Sequence, residues 1–139
     1  MASLAPGVIM GCSQRPGIVA QTLVAGDGTE TAMFVPITDA VSLTNVTELE
    51  TVSEVMGLSG AFSVQPAVKY SNERDKIDTG TYATFAEAQV AIGTKFAKFV
   101  SLPGTPLRFA QFGYEVKNTD ASGDVNKAMV QLRITFRLT

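Results

Sequence analysis

From residue 127 to residue 138 the chain alternates at every position. Ala128, Val130, Leu132, Ile134, Phe136 and Leu138 share one parity, and Lys127, Met129, Gln131, Arg133, Thr135 and Arg137 share the other. Side chains on a strand switch faces residue by residue, so this segment reads as a long strand with one buried and one wet face. A one-residue slip would turn the whole apolar set to water, which fixes the register tightly.

Comparable patterns recur upstream. Gly17 to Val24 and Thr29 to Val35 read as two strands of a hairpin closed at Ala25-Gly26-Asp27-Gly28, because Asp-Gly supplies the positive φ angles of a tight turn. That loop lacks the lysine of a phosphate-binding loop and no helical pattern follows it. Pro36 ends the second strand, since proline donates no ladder hydrogen bond. Asn45 to Leu58 carries both a helical stripe (Val46, Leu49, Val52 or Ser53, Val55 or Met56) and a Thr/Val content that favours a strand. The turn chemistry of Gly57-Leu58-Ser59-Gly60, followed by alternation of Phe62, Val64, Pro66, Val68 and Tyr70, favours two antiparallel strands in a hairpin. Pro66 then implies an edge position or a bulge.

Ser71 to Gly80 reads as a solvated loop without the ligand spacing of a calcium site. Phe85 to Ile92 is patterned too weakly to separate a strand from a short helical turn. Lys95 to Val100 is a short strand closed by Leu102-Pro103-Gly104-Thr105-Pro106. In Leu107 to Lys117 the apolar parity changes between Phe109 and Phe112, predicting a bulge near Ala110 or Gln111, or a strand that turns a corner between sheets. Asn118 to Asn126 is the last loop. Seven or eight strands with closely spaced turns predict an all-β fold, an antiparallel β-sandwich of jelly-roll type spanning residues 17–139. Ahead of it, residues 1–16 hold Pro6, Gly7, Gly11 and Pro16 and only one charge, Arg15. This is too apolar for a solvated tail and too broken for a helix, so it predicts an extended N-terminal arm, packed on its own domain or reaching onto a neighbour.

Composition narrows the chemistry. The 139 residues include no histidine and a single cysteine, Cys12. Histidine-dependent triads and zinc motifs are excluded, as are internal disulfides and thiolate clusters. Val8-Ile9-Met10-Gly11-Cys12 faintly resembles a lipoprotein box, without the basic and longer apolar segments of a secretory signal. No apolar run is long enough for a spanning helix, and the formal net charge of −2 offers no general attraction to nucleic acid or an anionic membrane. The carboxylate pairs Glu48 with Glu50 and Asp120 with Asp124 lie on a solvated strand face and in a turn-rich loop, with nothing to split their pKa values. The expectation is a protein that is no enzyme and uses no metal or cofactor.

Charge is unevenly distributed. Six acids (Asp27, Glu30, Asp39, Glu48, Glu50, Glu54) and no Lys or Arg fall between Pro16 and Val68. From Ala88 onward seven bases (Lys95, Lys98, Arg108, Lys117, Lys127, Arg133, Arg137) face three acids. Glu48, Glu50 and Glu54 share one strand parity, as Lys127, Arg133 and Arg137 do, so the two sets are expected to lie close together.

The run from Gly57-Leu58-Ser59-Gly60-Ala61-Phe62 through Tyr70-Ser71-Asn72-Glu73-Arg74-Asp75 resembles the capsid decoration (cement) proteins of tailed bacteriophages. So does the run from Leu107-Arg108-Phe109 through Phe112-Gly113-Tyr114-Glu115-Val116 to the terminal strand. The resemblance covers roughly residues 45–139, in strand-and-turn wording shared with tail, connector and baseplate sandwiches and with carbohydrate-binding modules. It implies a structural virion protein, made in the host cytoplasm, that sits on the capsid surface as a dimer or trimer and stabilises contacts between copies of the major capsid protein. Leu4, Val8, Ile9, Met10 and Arg15 of the arm, with Arg133 and Arg137, are the expected interface residues.

Overall fold

The computed structural model describes residues 17–138. Nine strands make up the described chain: β1 (Gly17–Ala25), β2 (Met33–Pro36), β3 (Val41–Ser42), β4 (Val46–Leu58), β5 (Phe62–Ser71), β6 (Tyr82–Thr84), β7 (Gly93–Phe99), β8 (Phe109–Asn118) and β9 (Lys127–Leu138). A 3-10 turn, Arg74–Thr79, lies in the Ser71–Gly80 connection. The fold is an antiparallel β-sandwich. One sheet has four strands in the order β1-β9-β4-β7; the other has the order β2-β8-β5-β6, with β3 also pairing β8. These orders are the interlocked Greek keys of a jelly roll.

The alternation of β9 does what its pattern demands. Ala128, Val130, Leu132, Ile134 and Phe136 are buried, while Lys127, Arg133 and Arg137 are exposed. Only Leu138 departs, where the register against β4 shifts after Arg137. Opposite this row, Phe62, Val64, Val68 and Tyr70 of β5 and Ala110, Phe112, Tyr114 and Val116 of β8 fill the space between the sheets. Burying each large apolar side chain contributes about 1.5–3 kcal/mol. Phe85 meets Phe99 and Phe112 edge-on, with centroids 5.5 and 6.3 Å apart, so aromatic contacts run from one sheet to the other.

Four expectations are corrected. β1 and β2 form no hairpin: β1 pairs β9 and β2 pairs β8, in different sheets. Asp27-Gly28 does turn the chain, with Gly28 at φ +84, but Asp27 spends its carboxylate on the backbone N–H and hydroxyl of Thr29 (3.0 and 2.6 Å). The chain therefore crosses between layers. Residues 57–60 likewise form a corner, not a hairpin, because β4 and β5 belong to opposite sheets. Gly60 has φ +65, and a Cβ there would collide with Asn126 Oδ1. Asn126 holds the corner by donating to Ala61 O (3.3 Å) and to Asn118 Oδ1 (3.2 Å).

Pro66 is on an interior strand, between β8 and β6. Its missing donor is tolerated because the neighbouring segment breaks there: β6 ends at Thr84, Phe85 N–H donates to Pro66 O, and pairing resumes only as a bridge between Val64 and Gln89. The register of β8 against β5 runs unbroken from Phe109 to Asn118, so no bulge explains the parity change near Ala110. Phe109 instead lies on the outer face, beneath the guanidinium groups of Arg74 and Arg108 at 4.9 and 5.8 Å.

That same outer face depends on Gly113. Phe34, on edge strand β2, passes over Gly113 and stacks on Tyr82 of edge strand β6 with centroids 5.4 Å apart, while Lys69 Nζ sits 4.7 Å from its ring. Ala67 is fully buried on this face. A Cβ at Gly113 would meet Val35 O and would stand 2.9 Å from Phe34 Cζ. Gly113→Ala is therefore expected to cost about 1–3 kcal/mol, the usual penalty of overpacking. The measurement is the urea midpoint. Gly57→Ala, whose Cβ would meet nothing nearer than Met129 Cβ at 3.9 Å, is the control expected to leave that midpoint unchanged or slightly raised.

Candidate functional site

The outer face of the four-stranded sheet gathers the features that could serve a partner. Its register sets residues in rows in the order β1, β9, β4, β7. One row is Val19–Arg133–Val52–Phe96; on one side lies Gln21–Gln131–Glu54–Thr94, and on the other Gly17–Thr135–Glu50–Lys98. Leu23 stands beside Met129 at one end, and Arg137 faces Glu48 at the other. Acids thus occupy the β4 column, and bases occupy the flanking columns.

The expected proximity of acids and bases is found. Arg137 Nη1 lies 3.9 Å from Glu48 Oε1, and Arg133 sits diagonally between Glu50 and Glu54. Lys98 pairs in register with Glu50. Lys127, at the start of β9, falls outside this group and pairs in register with Ala25. Exposed pairs of this kind contribute little stability, typically about 0–1 kcal/mol, and act mainly on register and partner choice. Of the expected interface residues, Arg133 and Arg137 are exposed on this face. Leu4, Val8, Ile9, Met10 and Arg15, with the rest of the 1–16 arm, lie outside the described residues.

One feature of this face was not read from the sequence. Phe96 of β7 is 65% exposed on this face, and Val90, Ile92 and Val100, in the segments flanking β7, are 62, 69 and 77% exposed. Val19 and Leu23 on the opposite edge are also exposed. The signal was present as i, i+2 alternation over residues 90–100, but apolar alternation says which residues share a face, not which face is buried. The inner parity of β7 holds Gly93, Lys95, Ala97 and Phe99, of which only Phe99 packs on the core.

A buried polar bridge holds β7 in place. Ser53 on β4 donates to Gln89 Oε1 (2.8 Å) and lies 2.6 Å from the hydroxyl of Tyr114 on β8. With the serine proton committed to Gln89, the tyrosine hydroxyl is the donor. Gln89 Nε2 donates to Gly93 O (3.0 Å), and the Gln89 backbone exchanges two hydrogen bonds with Val64. The bridge therefore joins both sheets and fixes the crossover that enters β7.

The surface depressions among the described residues are shallow. One of about 420 Å³ lies beside Tyr70, Tyr82, Gly104 and Leu107, and another of about 410 Å³ beside Pro36, Thr38 and Asp39. Neither brings together an acid and a base. A carbohydrate-binding module would present tyrosines to stack on sugar rings; here Tyr114 and Tyr70 are buried, and Tyr70 donates to Pro103 O at 2.6 Å. Tyr82 is half-buried against Phe34, and burial, with Glu115 nearby, raises its pKa. Among the described residues no cluster of three or more Asp, Glu, His or Cys is placed to hold a metal, and no helix is long and apolar enough to cross a membrane.

No known protein-family profile matches the chain, and no curated protein matches it. Among solved structures, a chain from the Bacillus endospore appendages, which form a novel family of disulfide-linked pili, aligns with a TM-score of 0.36 and 15% identity. The alignment covers 91% of this chain and 92% of that one. A TM-score this low carries no inference about fold or function.

Burial pushes the phenols of Tyr70 and Tyr114 up to about 12 from an ordinary 10.0. The unfolded chain releases these protons near pH 10 while the folded chain keeps them, so their contribution to stability is complete below pH 10 and is lost as pH rises towards 12. Denaturant unfolding across that range is expected to show falling stability. Tyr70→Phe should flatten the slope, because it removes one of the two protons. A slope unchanged in Tyr70→Phe would show that this phenol does not titrate differently in the two states.

Proposed function

We propose that this chain is a structural virion protein that binds the outside of a phage capsid shell and stabilises contacts between major capsid subunits. The observation that carries this reading is the outer face of the four-stranded sheet, where exposed apolar residues and opposed charges lie on a broad surface without a cleft. Such a surface suits protein contact better than capture of a small molecule. The decoration-protein resemblance of residues 45–139 supplies the particular partner.

The mechanism is surface burial without a chemical step. Each copy touches more than one shell subunit, so individually weak contacts sum through effective concentration. The apolar stretch from Met1 to Gly17, with its single charge at Arg15, supplies a second contact. Contact with the shell would bury its apolar side chains.

Rebinding to shells stripped of this protein tests the reading. The full chain is expected to return to the shell and to raise its resistance to heat or osmotic shock. The chain without residues 1–16 should bind more weakly. Equal binding by the shortened chain would remove the arm from the mechanism, and no binding by the full chain would remove the shell as partner.

A further inference from the structure

The rows on the outer face of the four-stranded sheet have a symmetry of their own. Reversed end for end, each row complements itself. We propose that two copies of this chain pack through this face, about a two-fold axis parallel to the strands along the seam between β4 and β9. The axis lays β7 of one copy on β1 of the other, and β4 on β9.

Phe96, 65% exposed, then covers Val19 of the second copy, itself 59% exposed. Arg133, beside the axis, lays its aliphatic stem on Val52 of the second copy, with Glu50 and Glu54 of that copy on either side of Val52 to meet its charge. Glu48 meets Arg137 of the second copy, Glu54 meets Gln131, and Lys98 meets Gly17. No acid is set on an acid and no base on a base. An axis parallel to the strands also agrees with the way sheets stack, with strand directions within about 30°.

The dimensions are sufficient. Four strands at about 4.8 Å spacing and ten residues at about 3.3 Å each present on the order of 600 Å² in projection. Accessible area exceeds projection, and a stable contact needs about 800 Å² per partner. Pairing through the free edge of β7 is disfavoured, because it would bring Lys95 and Lys98 of the two copies together.

Sedimentation equilibrium of the full chain across the micromolar range is the first test, with a dimer expected. Phe96→Asp and Val19→Asp should each weaken association roughly tenfold or more, as loss of a central apolar contact does. Both residues are exposed, so thermal melting monitored by circular dichroism should still report a folded β protein. Thiol crosslinking then reads the register, with a short bis-maleimide because stacked sheets hold facing backbones about 10 Å apart, too far for a direct disulfide. In a Cys12→Ser background, Val19→Cys with Phe96→Cys should give a covalent dimer with a linker of about 8 Å, whereas either cysteine alone should not. The two positions lie three strands apart in one chain, about 14 Å at standard strand spacing, so an internal crosslink by that linker is out of reach.

A monomer at every concentration overturns the proposal. So does a trimer or ring, a dimer indifferent to both aspartates, or a single cysteine that crosslinks as well as the pair. The proposal does not rest on shell binding, and it takes the four-stranded face for the second copy, which leaves the arm and the five-stranded sheet to meet a shell. A monomer that rebinds shells refutes the dimer alone, and a dimer that ignores them refutes the shell reading alone.

Discussion

Two adjacent strands that alternate strictly, β4 and β9, set the terms for everything else. They are the two interior strands of the four-stranded sheet, and their inner side chains must find apolar cover or the sheet does not exist. Leu49, Val55, Val130, Leu132 and Ile134 are essentially removed from solvent, facing β5 and β8 across the sandwich. Because a strand has period two, the same register that buries these residues forces Glu48, Glu50, Glu54, Arg133 and Arg137 outward together. The charged outer face is thus a by-product of core packing.

The core is not purely apolar, and its polar members explain why the crossover into β7 is firmly placed. Ser53 faces inward among apolar neighbours, where an unmet hydroxyl would cost about 1–3 kcal/mol. Its contacts with Gln89 and Tyr114 satisfy three polar side chains at once. They also tie a loop residue to both layers. At one end of the sandwich, Asn118 and Asn126 do similar work for the loops, with Gly26 N–H donating to Asn126 O and Asn118 Nδ2 to Asp124 O. Satisfied networks of this kind specify a unique arrangement of loops that apolar packing alone would leave loose.

What was legible in the sequence was local. The strands at 46–58, 62–71 and 127–138 and the stop at Pro36 follow from alternation and proline chemistry, and the acid–base face follows from parity. What was not legible was partnership. Asp27-Gly28 and Gly57–Gly60 have the residues of hairpin turns, and nothing within them says whether the next strand stays in its sheet or crosses the sandwich. The parity of Phe109 suggested a bulge because an aromatic was assumed to face inward; Arg74, thirty-five residues away, covers it on the outside. The same assumption hid the row through Phe96, an aromatic of β7 that stands in solvent.

The two outer faces of the sandwich treat their apolar groups differently. On the five-stranded sheet, Phe34 and Tyr82 close over Gly113 and Ala67, and two arginines close over Phe109. This chain therefore has the means to shield apolar groups with its own side chains. On the four-stranded sheet, among the described residues, no such cover lies over Phe96, Val19 or Leu23. A single exposed valine or phenylalanine is ordinary, since much of any protein surface is apolar. Exposed apolar residues at both ends of one row, with Arg133 between them and Glu50 and Glu54 in the adjoining rows, are harder to reconcile with a face meant only for water. The lysines of β7 fit the same view. They guard the open edge against strand addition while leaving the flat face free, so association is directed to the surface where charge and apolar groups are already matched.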